Sequence, residues 1–170
     1  QPLARLVDEL RTNAIANLVI GDAALLVAAF RADRPYRAVV LFAVVAIVLA
    51  VVTGRFGPNG RTRRDLPRAS QPPAGAVHEA VTQTRRRVIF GLVPVVLVLG
   101  VLVAILPESA AVIAGVPAGA GGGDLWMLGW LRTLDRSRND TVLREAAASP
   151  FVAGTRAVYT LPMNDATEPT

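Results

Sequence analysis

The chain contains no cysteine and no lysine, and it has one histidine, His78. Without cysteine there is no disulfide, no thiolate metal ligand and no cysteine nucleophile. A lone histidine beside Glu79 does not make a metal centre, which needs three or four converging ligands. It also supplies no base near a serine, and no serine sits in a nucleophile-elbow pattern. Asp135, Asp140 and Glu145 recur at five-residue intervals, which rotates them off any shared helical face. The sequence therefore reads as non-enzymatic, with no catalytic residue, no metal and no cofactor.

Aromatic residues are scarce at 5%, and all 18 basic residues are arginine. Arginine-only basicity with abundant alanine, valine, glycine and proline reads as the GC-rich coding bias of a bacterium. The net charge is +5, yet the arginines do not line an amphipathic face with interleaved aromatics, so nucleic acid is not an expected partner. They cluster beside apolar segments, where membrane topology and anionic lipid headgroups account for them.

Apolar sequence is what the chain has in quantity, at 52% of residues. Val88–Leu106 (VIFGLVPVVLVLGVLVAIL) carries no charged or polar side chain and follows directly on Arg85, Arg86 and Arg87. As a helix it spans roughly 28 Å, the hydrocarbon thickness of a bilayer, and the three arginines mark its cytoplasmic end. Two further apolar stretches, 12–30 and 38–53, flank a polar hairpin in which Pro35 breaks helical continuity. The expected fold is an all-α integral membrane protein with three transmembrane helices, 12–30, 38–53 and 88–106.

The remaining segments fill in around these spans. Residues 1–56 read as an amphipathic lead (1–11) followed by the helical hairpin. Residues 57–87 read as an Arg/Pro/Gly-rich linker, a loop to Gly75 and then a short helix running into the last span. Its arginines, together with Arg55, put eight between Gly54 and Arg87, which assigns the linker to the cytoplasm. With three spans the N-terminus is cytoplasmic, and the tail 107–170 is extracytoplasmic. The tail's five arginines against seven acids fit that side. Within the tail, Gly115–Gly123 (GVPAGAGGG) reads as a hinge unable to hold a helix. Asp124 is expected to cap a short interfacial helix, 125–134, anchored by Trp126 and Trp130. Asp140 is expected to cap another over 141–148, with 151–161 extended and 162–170 disordered.

Asp22 is the sharpest single residue, a carboxylate near the middle of an apolar stretch, where a charge costs several kcal/mol unless paired, protonated or hydrated. No basic residue in the other apolar segments lies at that depth, so a partner to an ionised Asp22 belongs to another polypeptide. A second stripe on the same stretch, Ala14, Asn17, Gly21, Ala24 and Ala28, has the spacing of a close helix-packing face. With only two other spans expected, a helix that seeks protein on two sides points to a subunit of something larger. The expected function is a non-catalytic accessory subunit of a bacterial inner-membrane complex. Its partners would be larger integral membrane subunits and anionic lipid headgroups. Within that class an envelope or lipid transport assembly is favoured over a respiratory complex. A small homo-oligomeric transporter or channel using Asp22 is the alternative.

Overall fold

The glycine run is helical. In the computed structural model, which describes residues 2–138, 140–146 and 157–162 and omits the side chains of 135–138, 140 and 162, Pro107–Arg138 forms one continuous helix, α5. The expected hinge at 115–123, and the cap at Asp124, are both overturned. Glycine costs a helix about 1 kcal/mol per residue relative to alanine. A backbone group left unsatisfied away from water costs several, so inside a membrane breaking the helix is dearer than keeping its glycines.

Around α5 stand three more long helices: α1 (Leu6–Arg31), α2 (Pro35–Arg55) and α4 (Val81–Ile105). Pro35 and Pro107 each occupy the first helical position, where the missing N–H and fixed φ suit a helix start. α5 is inserted between α1 and α2, and α4 packs mainly on α1. Four helices, not three, are long and apolar enough to cross a membrane, an architecture compatible with a multi-pass membrane protein. The fourth escaped notice because it is the inner one. The most apolar window of α5 has a mean hydropathy of 1.2 and is 61% buried by its neighbours, against 3.1 and 22% for α4. A helix sheathed in protein does not need lipid-soluble side chains.

Its small residues set the packing distance. An ideal Cβ on Gly21 of α1 would stand 2.8 Å from both the Ala114 carbonyl oxygen and the Ala118 Cβ. On the opposite flank, one on Gly115 would stand 2.9 Å from the Phe42 carbonyl oxygen of α2. Helix backbones approach this closely only where side chains are absent or minimal.

A three-stranded sheet and the linker gather at one end of the bundle. The linker is not a loop: Pro58–Asp65 forms α3 and Leu66–Arg68 a 3₁₀ turn, while 76–80 is extended and α4 starts at Val81. The lead is likewise not helical at its start, since Leu3–Arg5 forms strand β1 before α1 begins. β1 pairs antiparallel with β2 (Asp140–Glu145), which pairs antiparallel with β3 (Val158–Pro162). β2 takes the place of the helix expected from 141; residues 147–156 and 163–170 lie outside the described residues. Thr160 N–H donates to the Ser70 carbonyl at 3.1 Å, which ties the tail to the linker. The paired strands therefore hold N-terminal segment, linker and tail at one end of the bundle, where linker and tail were expected on opposite sides. An apolar cluster of Leu6, Leu10, Leu66, Met127, Leu131 and Val158 closes this end, and a smaller one, with Ala28, Ala38, Val103 and Ala110, closes the other.

Candidate functional site

Beneath the three-stranded sheet, polar groups from five elements converge on a cavity of about 170 Å³ lined by Glu9, Asn13, Asn59, Arg87, Asp124 and Arg144. α5 delivers Asp124 one residue after its glycines, on the side turned towards α1 and α3. There Asp124 is buried, and its two oxygens accept from two carboxamides: Asn13 Nδ2 to Oδ2 at 2.5 Å and Asn59 Nδ2 to Oδ1 at 2.8 Å. Asn59 is brought over by α3 and also donates to the Gly123 carbonyl at 3.3 Å. One turn deeper on α1, Asn17 Nδ2 donates to Asn13 Oδ1 at 3.0 Å. Asn17, Asn13, Asp124 and Asn59 thus form a single hydrogen-bonded chain leading from the cap into the bundle.

The other wall is ionic. Arg144 of β2 donates from Nη2 to Glu9 Oε1 at 3.0 Å, and both side chains are buried. Arg87 of α4 lies 3.9 Å from Glu9 and binds Glu79 through Nε at 3.2 Å and Nη2 at 3.0 Å. Thr84, almost fully buried, donates to Glu79 at 3.1 Å. Breaking such a buried pair by removing one partner typically costs 3–5 kcal/mol. The network therefore fastens the sheet and the start of α4 to α1.

The residues singled out from sequence fall in three places. Ala14, Asn17, Gly21 and Ala28 are buried and Ala24 half-buried, on the α1 face turned to the interior, where α5 meets Gly21. Asp22 is on the opposite, exposed side of α1, among exposed Ile15, Val19 and Leu26. Arg85 and Arg86 are exposed, with the Arg86 guanidinium over the Phe90 ring, whereas Arg87 belongs to the ionic network. Trp126 is exposed beside Gly54, and Trp130 is half-buried with Arg63 of α3 stacked 4.6 Å from its ring centre. His78 is exposed, its backbone bridged to Leu3.

Sequence reasoning missed Glu9, Asn13, Asn59, Asp124 and Arg144 as a group. The available signal was a polar pair four apart on α1, Asn13 and Asn17, facing a glycine run that ends in an acid. The arrangement is one of held carboxylates and donors rather than of a nucleophile and its base. Among the described residues, no three His, Asp or Glu side chains are grouped to hold a metal ion. No family model, no curated protein and no solved structure matches the chain.

Proposed function

We propose that the chain is a non-catalytic subunit of a larger bacterial inner-membrane assembly, spanning the membrane four times with both termini in the cytoplasm. The observation that carries this reading is the exposure of Asp22 on the outer face of α1. It lies nine residues before Arg31, roughly 13 Å along the helix axis and so well inside the apolar layer. Among the described residues it makes no hydrogen bond or ion pair. A charge at that depth facing lipid costs about 3 kcal/mol, and such residues face protein instead. The small-residue face of α1 is already taken by α5, so the Asp22 face is the one left for another polypeptide. Its partner is a membrane helix that brings an arginine, lysine or carboxamide to the same level.

The orientation follows from arginine placement. The end bearing the sheet and α3 carries exposed Arg5, Arg11, Arg55, Arg61, Arg85 and Arg86 among others, and the opposite end Arg31, Arg34 and Arg37. The excess marks the cytoplasmic side and favours contact with anionic headgroups there. An envelope or lipid transport complex remains the preferred host class, with a respiratory complex next. Purification of the full chain from its native membrane in mild detergent, followed by mass spectrometry, tests the subunit reading. Stoichiometric larger membrane proteins are expected; the chain alone, as a single species, would overturn it. A homo-oligomer with altered flux in Asp22→Asn would favour the transporter alternative.

A further inference from the structure

We infer that the corner where α2 passes into α3 is a binding site for the phosphate of an anionic phospholipid headgroup. The inference rests on the four-span orientation proposed above, and it does not depend on the subunit reading.

The corner is built by a close turn. Gly57 N–H donates to the Val52 carbonyl at 2.9 Å, and α3 begins at once with Pro58. Gly60 then lies directly on the last residue of α2, where any Cβ would collide with the Arg55 carbonyl. The inner face of α3 and of the turn after it carries Asn59, Thr62 and Leu66, all buried. The outer face carries Arg61, Arg64 and, in the 3₁₀ turn, Arg68, all exposed and spaced so that they share one side. Arg55, also exposed, joins them from the end of α2.

These guanidinium groups are held but not neutralised. Arg64 Nε donates to the Gly60 carbonyl at 3.3 Å, which fixes the group and leaves its terminal nitrogens free to bind. The Arg55 guanidinium stands 5.8 Å from the centre of the Phe56 ring. Among the described residues, none of Arg55, Arg61, Arg64 and Arg68 forms an ion pair. Between positions 55 and 68, five arginines are set against one acid, Asp65.

Depth selects the ligand. Phe56 and Trp126 are both exposed here, and the Trp126 ring lies against Gly54 on the last turn of α2. Exposed aromatic rings at the end of a membrane-crossing helix mark the headgroup level. A guanidinium at that level meets phosphate, which it binds through paired N–H donors. Clusters of about four or more basic residues just cytoplasmic of a crossing helix favour anionic lipid. Arg85 and Arg86 at the start of α4 lack this arrangement. They are sequence neighbours on different helical faces, and Arg87 beside them is bound to Glu79.

The test is native mass spectrometry of the full chain, released from nonionic detergent micelles holding phosphatidylglycerol and phosphatidylcholine in equal amounts. Phosphatidylcholine carries the same phosphate but cancels its charge with choline. The parent is expected to retain phosphatidylglycerol over phosphatidylcholine by about tenfold, and Arg61→Gln with Arg64→Gln to weaken that retention by about tenfold. Arg64 also bonds Gly60, so a second variant guards against a folding defect. Arg61→Gln with Arg68→Gln breaks no hydrogen bond or ion pair among the described residues, and it is expected to match the first. Arg85→Gln with Arg86→Gln removes the same charge and is expected to change retention by less than about twofold. Excess inorganic phosphate is expected to leave the lipid bound; displacement would make a free anion the ligand and overturn the lipid assignment. Equal retention of the two lipids, retention that survives both α3 double variants, or equal loss in the α4 variant would overturn the site. Insertion into phosphatidylcholine liposomes, read by resistance to alkaline carbonate, keeps the two readings apart. A chain that carbonate extracts would overturn the four-span reading and the site with it. A chain that stays inserted yet shows no lipid preference overturns the site alone.

Discussion

An ideal Cβ on Gly119 of α5 would stand 2.7 Å from the carbonyl oxygen of Ala46 on α2, so at this level the two helix backbones are in direct contact. Adding a methyl group there forces the helices apart along their length. Gly119→Ala is expected to destabilise the bundle by about 1–3 kcal/mol, the usual cost of overpacking, seen as a melting temperature lower by several degrees. Gly100→Ala on α4 meets nothing within 4 Å and is expected to stay within about 2 °C of the parent. Equal effects at the two positions would mean that close approach is not what holds α5 in place.

Glu9 and Arg144 come from residues far apart in sequence and meet at 3.0 Å in a buried setting. Removing either breaks a buried ion pair, so Arg144→Gln and Glu9→Gln are each expected to cost about 3–5 kcal/mol. The double variant is expected to cost clearly less than the sum, because the two side chains interact directly. A double-variant cycle by denaturant or thermal melting decides it. Additive losses would show that the pair does not couple the sheet to α1.

What could be read from the sequence were the features that lipid imposes directly. Leu97 and Ile47 face outward, and lipid-facing helices must be apolar around most of their surface, so 88–106 and 38–53 announce themselves. α5 carries the opposite signature. Its contacts are with Ala14, Gly21, Ala46 and Leu49, and what it needs is smallness, which in a soluble-protein reading means a hinge. The candidate site was hidden for a related reason. Asp124 meets Asn13 across 111 positions and Asn59 across 65, and without α5 as a helix nothing brings them together. Missing one helix also put the tail at the wrong end of the bundle, since a fourth long helix brings the chain back to the end where the first began.

That return is directly measurable because the chain has no native cysteine to confuse labelling. Ser70, Ala157 and Arg34 are all exposed, the first two at the sheet end and the third in the hairpin between α1 and α2. Single cysteines at 70 and 157 are expected to react with a membrane-impermeant maleimide only after the cells are opened. One at 34 is expected to react from outside intact cells. Opposite behaviour of 70 and 157 would contradict the pairing of the tail with the linker.

Asp22 gives the sharpest separation between fold and assembly. It touches no polar group of its own chain among the described residues, so Asp22→Asn and Asp22→Leu are expected to leave the melting of the isolated chain within about 2 °C of the parent. The assembly is expected to respond quite differently. A charge that is paired on docking contributes about 3 kcal/mol or more when its partner would otherwise be stranded, which is more than a hundredfold in affinity. Both variants should therefore lose their co-purifying membrane partners under washing that the parent survives, while Asp22→Glu retains part of them. Quantitative mass spectrometry of the washed material reads this out. Intact folding with undiminished partners in Asp22→Leu would show that this face of α1 meets lipid after all.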